Sequence, residues 1–123
     1  MTGEMSVQVK RIYNAGDESD GFRVLIDRLW PRGLSKQDAR YDLWAKDVAP
    51  STDLRKWFSH DPSRFDAFRK RYLDELSQRQ EAVDALLREA GDQPITLLTA
   101  ARDPQCSHAA VLAECLNARR RDG

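Results

Sequence analysis

The chain has 123 residues, 33% of them charged, and its 20 lysines and arginines are balanced by 20 aspartates and glutamates. That length is one ordinary domain with room for a hydrophobic core of its own. Zero net charge removes any global pull toward nucleic acid or an anionic membrane, so a preference for charged partners has to be local.

No apolar run is long enough for a membrane-spanning helix, and no membrane partner is expected. Residues 1–6 read as a frayed leader without the basic and apolar regions of a secretory signal, with Met5 as an alternative start. The expected compartment is the cytoplasm. The two cysteines, Cys106 and Cys115, would lie roughly 13–14 Å apart along a single helix, at about 1.5 Å per residue. A disulfide needs Cα atoms within about 7 Å, so free thiols in a reducing compartment are expected. Two cysteines and two histidines without paired spacing make no zinc site.

In chain order, Val7 to Tyr13 is β-branched and aromatic and predicts a first strand. Residues 14–21 are turn chemistry throughout. Arg23 to Asp27 is the second strand; its Val24-Leu25-Ile26 core is continuously apolar, as in a strand covered on both faces. The link of about eight residues is shorter than the dozen or so that a parallel crossover takes. The first strand is therefore either antiparallel to the second or joined to it unusually tightly. Leu34 to Arg40 suggests a short helix capped by Ser35, and Tyr41 to Lys46 either a short strand or an extended loop.

Pro50-Ser51 opens a helix whose apolar face is Leu54, Trp57 and Phe58. Asp61-Pro62 is a carboxylate cap followed by a proline at the first helical position. One long helix should follow, with Phe65, Phe68, Tyr72, Leu76, Val83 and Leu86 or Leu87 on one stripe and Gly91 at its end. Ile95 to Ala100 is a buried strand. Asp103-Pro104 repeats the cap-plus-proline signal, and the last helix runs to about Ala118, leaving Arg119-Arg120-Arg121 as a solvated tail. The fold class expected is α/β: a single small layered domain with a mainly parallel sheet flanked by helices, the last strand followed by a C-terminal helix.

In open α/β sheets, ligands bind beyond the carboxyl ends of the strands. Strand two runs out through Asp27-Arg28-Leu29-Trp30-Pro31-Arg32-Gly33, and the late strand through Arg102-Asp103-Pro104-Gln105-Cys106-Ser107-His108. If the two are parallel, these segments share one edge. Arg28, Arg32 and Arg102, with the last helix's N-terminus, would then clamp a phosphate or carboxylate, since guanidinium binds such groups through paired bonds. The competing reading pairs Arg28 and Arg32 with Asp27, Asp42 or Asp47 as structural ion pairs. Trp30 would wall the site or simply pack, and Ser107 would contact ligand or cap the helix.

Three residues are candidates for catalysis. Cys106, at the third position of a helix capped by Asp103, would have its thiol pKa lowered and act as a nucleophile; otherwise it is a small residue in a tight turn. His108 would point about 200° away from it on a continuous helix. His60, between two helices, could move protons near neutral pH, and Asp27 is the third candidate. No motif names a cofactor: Walker and dinucleotide glycine loops, His-Glu-x-x-His and Gly-x-Ser-x-Gly are all absent from the sequence.

The stretches Phe22 to Gly33, Pro50 to Phe58 and Thr96 to Asp103 resemble the YeaO-like proteins of domain-of-unknown-function family 488, and the likeness extends from about Val7 to Leu116. The resemblance implies a bacterial, cytoplasmic protein. Longer members of the wider family carry a strand ending in Asp-x-Arg and a Cys-His-Arg opening the last helix. Asp27-Arg28 is similar with one residue fewer, while Cys106-Ser107-His108 matches the cysteine alone, which favours a structural role for Cys106.

The expected function is binding of a phosphorylated or other anionic small molecule, such as a nucleotide, with hydrolase or transferase chemistry if the candidate groups act. The alternative is a non-enzymatic nucleic-acid or protein-binding module using Arg28, Arg32, Arg55, Lys56 and Arg119 to Arg121 as a surface patch. Oligomeric state is left open by the sequence.

Overall fold

The computed structural model describes residues 7–14, 16, 18–59 and 61–122. The strands are β1 (Val7–Arg11), β2 (Phe22–Leu25), β3 (Leu43–Trp44) and β4 (Ile95–Thr99); the helices are α1 (Thr52–Phe58), α2 (Phe65–Ser77), α3 (Gln80–Ala90) and α4 (His108–Asp122). The sheet order is β1-β4-β2-β3 and every neighbouring pair is parallel. The expected α/β architecture, with its C-terminal helix following the last strand, is the observed one.

Position in the sheet follows hydrophobicity. All five residues of β4 are buried, as are the last three of β2, and these two strands are central. β1 buries only Val7 fully and takes one edge; the two-residue β3 takes the other. Because β4 inserts between β1 and β2, the first two strands run parallel without touching, and the tight connection is the realised alternative. Among the described residues its return to the amino edge holds a single 3-10 turn, Glu18–Asp20. The buried Asp20 carboxylate receives Lys10 and Arg23, and its carbonyl accepts the Thr96 hydroxyl at 2.8 Å. Gly21 completes the turn at φ +66°, and a Cβ there would stand 2.3 Å from the carbonyl oxygen of Pro94. Only glycine allows that approach.

Alternation along the strands divides the core. Val24, Ile26, Ile95 and Leu97 face one side, where they meet the buried residues of all four helices, among them Leu54, Phe68, Leu86 and Leu112. Ile12, Leu25 and Leu98 face the other side. No helix covers that second side among the described residues; Trp30, Leu34, Tyr41 and Trp44 do. The segment from Asp27 to Asp42 is thus a cover. Within it, Ser35 caps only a turn, accepting from the amides of Asp38 and Ala39, where the sequence suggested a short helix.

The single long helix expected after Asp61 is two helices. No apolar residue lies between Leu76 and Ala82, and at this gap the chain breaks. Arg79 leaves helical geometry and donates to the carbonyls of Asp47 and Ala49. At the C-terminus α4 continues to Asp122 rather than stopping near Ala118. Arg119 is paired with Asp84, and Arg120 donates to the carbonyls of Gly91 and Gln93. Both cysteines are free. Among the described residues no helix is long and apolar enough to cross a membrane.

Candidate functional site

The parallel register brings the carboxyl ends of the strands level. Arg11 lies opposite Thr99, and Leu25 opposite both Leu98 and Trp44. Beyond them the amides of Ile12 and Ile26 continue the ladder to the carbonyls of Thr99 and Leu98. The segments leaving the two central strands must therefore emerge at one edge.

Asp27 joins these elements. Its Oδ1 accepts from the Thr99 hydroxyl at 2.7 Å and its Oδ2 from the amide of Ala100 at 2.8 Å, which ties the end of β2 to the end of β4. His108, the first residue of α4, brings Nε2 within 3.0 Å of Oδ1. His108 Nε2 is buried, and the approach to Asp27 is its one polar contact among the described residues. Burial pushes the Asp27 pKa up. His108, the Ala100 amide and the Thr99 hydroxyl outweigh it and hold the carboxyl below its ordinary value. The His108 ring also meets the buried Tyr72 edge-on, with centroids 6.3 Å apart.

Above this pair opens a cleft of about 740 Å³ lined by the segments after β2 and β4, by α1 and by the start of α2. Asp27, Arg28, Trp30, Arg32, Arg102, Cys106 and Ser107, seven of the residues singled out from the sequence, all line it. His60, the eighth, lies outside the described residues. Arg55 and His108 line it too. Arg28 is half-buried and held by a bond from its Nε to the Pro50 carbonyl at 3.3 Å. Pro50 is itself fixed because the adjoining Ser51, the cap of α1, gives its amide and hydroxyl to Glu75. Arg32, Arg55 and Arg102 are exposed. Among the described residues none of these four arginines forms an ion pair, so the structural pairing of Arg28 or Arg32 with Asp27, Asp42 or Asp47 is not what the fold contains.

Other expectations are revised. Asp103-Pro104 starts a 3-10 turn, Pro104–Cys106, and α4 begins only at His108. Its cap is Ser107, whose hydroxyl accepts from the Ala109 amide at 3.1 Å and donates to the Pro104 carbonyl at 2.8 Å. That buried hydroxyl is fully engaged within the fold. Cys106 therefore ends a 3-10 turn instead of standing in the first turn of α4. Burial, joined by the charge of Asp103, pushes its thiol pKa up, the reverse of an activated nucleophile. Trp30 packs edge-on against Tyr41 and Trp44 at 5.7 and 5.3 Å, and its Nε1 donates to the Leu34 carbonyl. It lines the cleft as a ring fixed by this packing.

Sequence reasoning missed the Asp27–His108 pairing. The two residues are distant in the chain, and the only signal was the strand-end rule that put both on one edge. Arg55, which the sequence left as a charge that could reach this edge or form part of a surface patch, is placed at the cleft by α1. The patch itself is divided: Arg120 bonds just before the start of β4, at the opposite end of α4 from the cleft. Among the described residues no cluster of three or more His, Cys, Asp or Glu side chains forms a metal-binding group.

Fold and cleft together define a small α/β domain with an all-parallel sheet and an arginine-lined opening beyond the carboxyl ends of its strands. The chain belongs to the family described as "Inactive DUF488-N3 subclade", whose profile matches residues 6–122. It is 48% identical over 119 residues to an uncharacterised protein of Mycobacterium tuberculosis, covering 97% of this chain and all of that one, and equally to one of Mycobacterium bovis. It is 45% identical over 112 residues to the uncharacterised protein YeaO of Escherichia coli, covering 91% of this chain and 97% of that protein. The family resemblance read from the motifs is confirmed. No solved structure matches the chain.

Proposed function

We propose that this chain is a binding domain for a small phosphorylated or otherwise anionic molecule, held in the cleft at the carboxyl ends of the strands. The observation that carries this reading is the convergence of Arg28, Arg32, Arg55 and Arg102 on one concave surface without carboxylate partners among the described residues. Guanidinium groups in a partly enclosed cleft bind oxyanions through paired, charge-assisted hydrogen bonds.

Binding without turnover is the form of the reading we favour. The Cys106 thiol is shifted toward its protonated form and the Ser107 hydroxyl is engaged as a cap, so neither is set up as a nucleophile. The family description, an inactive subclade, agrees with this. A bacterial cytoplasmic location fits such a role. The separation of Arg119 and Arg120 from the cleft weighs against a continuous nucleic-acid surface.

Isothermal titration with a phosphate monoester tests the proposal. Saturable binding at one site is expected, weakened about tenfold or more in Arg32→Ala, with only moderate salt dependence. Binding that collapses steeply with added salt would point instead to an extended polyanion. Unchanged affinity in both Arg32→Ala and Arg102→Ala would refute the cleft as the site.

A further inference from the structure

The cleft is large for an oxyanion alone. Its volume of about 740 Å³ falls in the range of roughly 300–1,000 Å³ that suits an organic ligand. Besides the arginines, its lining includes Leu29, Pro31, Phe58, Pro62 and Phe68. Phe58 and Phe68, stacked with ring centroids 4.3 Å apart, are buried and form its floor.

The exposed apolar surface is concentrated at the same place. Among the described residues just two large hydrophobic side chains are exposed, Leu29 at 60% and Tyr13 at 42%. Leu29 lines the cleft, and Tyr13 bonds through its hydroxyl to the backbone carbonyl of Arg32, another lining residue, at 2.8 Å. A lone exposed leucine needs no explanation. Both exposed hydrophobics beside one basic cleft do, and partial covering by a ligand's carbon body supplies it. Charge narrows the head group. Four lining arginines against Asp27 and Asp103 leave an excess of positive charge, which matches a dianion better than a single carboxylate.

We infer that the cleft takes a phosphate monoester with an apolar aryl or acyl body, in preference to inorganic phosphate or a sugar phosphate. The inference rests on the anion-binding reading of the same cleft and adds the chemistry of the rest of the ligand. The phosphate would meet the arginines, and the carbon body would lie along Leu29 and Pro62, the apolar lining residues that are exposed.

Phenyl phosphate, ribose 5-phosphate and inorganic phosphate, titrated separately into the full chain, separate the two claims. Phenyl phosphate is expected to bind about tenfold tighter than ribose 5-phosphate, the scale of withdrawing one exposed apolar side chain and its partner from water. In Leu29→Ser, a change at an exposed site, that preference should fall several-fold while the melting temperature holds. Equal affinity for the two esters in the unaltered chain, or a Leu29→Ser variant that keeps the full preference, would overturn this inference and leave the anion site standing. Binding of none of the three probes would overturn both.

Discussion

Replacing Asp27 by asparagine probes the joint between the sheet and the last helix. The substitution keeps the shape and removes the charge. Asp27 accepts from the Thr99 hydroxyl and the Ala100 amide and lies 3.0 Å from His108, with only 16% of its side chain exposed. A hydrogen bond to a charged group contributes about 1.5–3 kcal/mol, and an asparagine amide puts an N–H donor where one carboxylate oxygen accepts from Thr99 or Ala100. Two such bonds weakened together should cost about 2–4 kcal/mol, a sizeable part of the 5–15 kcal/mol typical of a domain. At about 3–5 °C per kcal/mol for a chain of this size, the melting temperature should fall by roughly 8–15 °C.

The pH dependence supplies the sharper check. A carboxyl whose folded pKa is depressed stabilises the fold above its unfolded value, near 3.9, and that stabilisation is lost as pH falls through the folded value. The stability gap between the two proteins, from urea unfolding followed by circular dichroism, should thus be present at pH 7 and still present at pH 5. It should close as the solution is taken below pH 4. A gap that stays constant into strong acid, or no loss of stability at pH 7, would refute the assignment of Asp27 as a charged joint.

Two further outcomes rest on local geometry. Gly21→Ala should destabilise the chain by about 2–4 kcal/mol in urea unfolding, since alanine at φ +66° would drive its Cβ into the Pro94 carbonyl; a loss under half a kcal/mol would mean that the turn can open. Cys106 and Cys115, both with thiol pKa values pushed up mainly by burial, should react with iodoacetamide at pH 7 more slowly than a free cysteine, in a mass-spectrometric time course. Faster alkylation of Cys106 would restore it as a nucleophile.

The strongest signals in the sequence were local, and they located the elements that matter. Val24-Leu25-Ile26 and Ile95 to Thr99 announced the two central strands through unbroken hydrophobicity, and Ser51 announced its helix through capping chemistry. The strand-end rule then brought Asp27 to Arg32 and Arg102 to Ser107 to one edge, where they are found. The relations that escaped were between distant segments. The direction of β1 depended on β4 inserting beside it, which no property of residues 7–21 encodes. Asp103-Pro104 is a sound helix signal, yet the helix it heralds waits for Ser107, because a 3-10 turn comes first. The break at Arg79 was visible only as a gap in an apolar stripe; the carbonyls that hold the arginine belong to a different part of the chain.

The cover over the second face of the sheet places an asymmetry on how the cleft can change. Residues 27–32 line the ligand side, while Trp30, Leu34 and Tyr41 of the same segment seal Ile12, Leu25 and Leu98 from water. Altering this wall risks uncovering core, so a new ligand preference gained there would carry a penalty in foldedness. Arg55 and Arg102 are exposed on elements that shelter nothing on that face. Diversification of specificity has a freer path through them, with the Trp30 side acting as a fixed template.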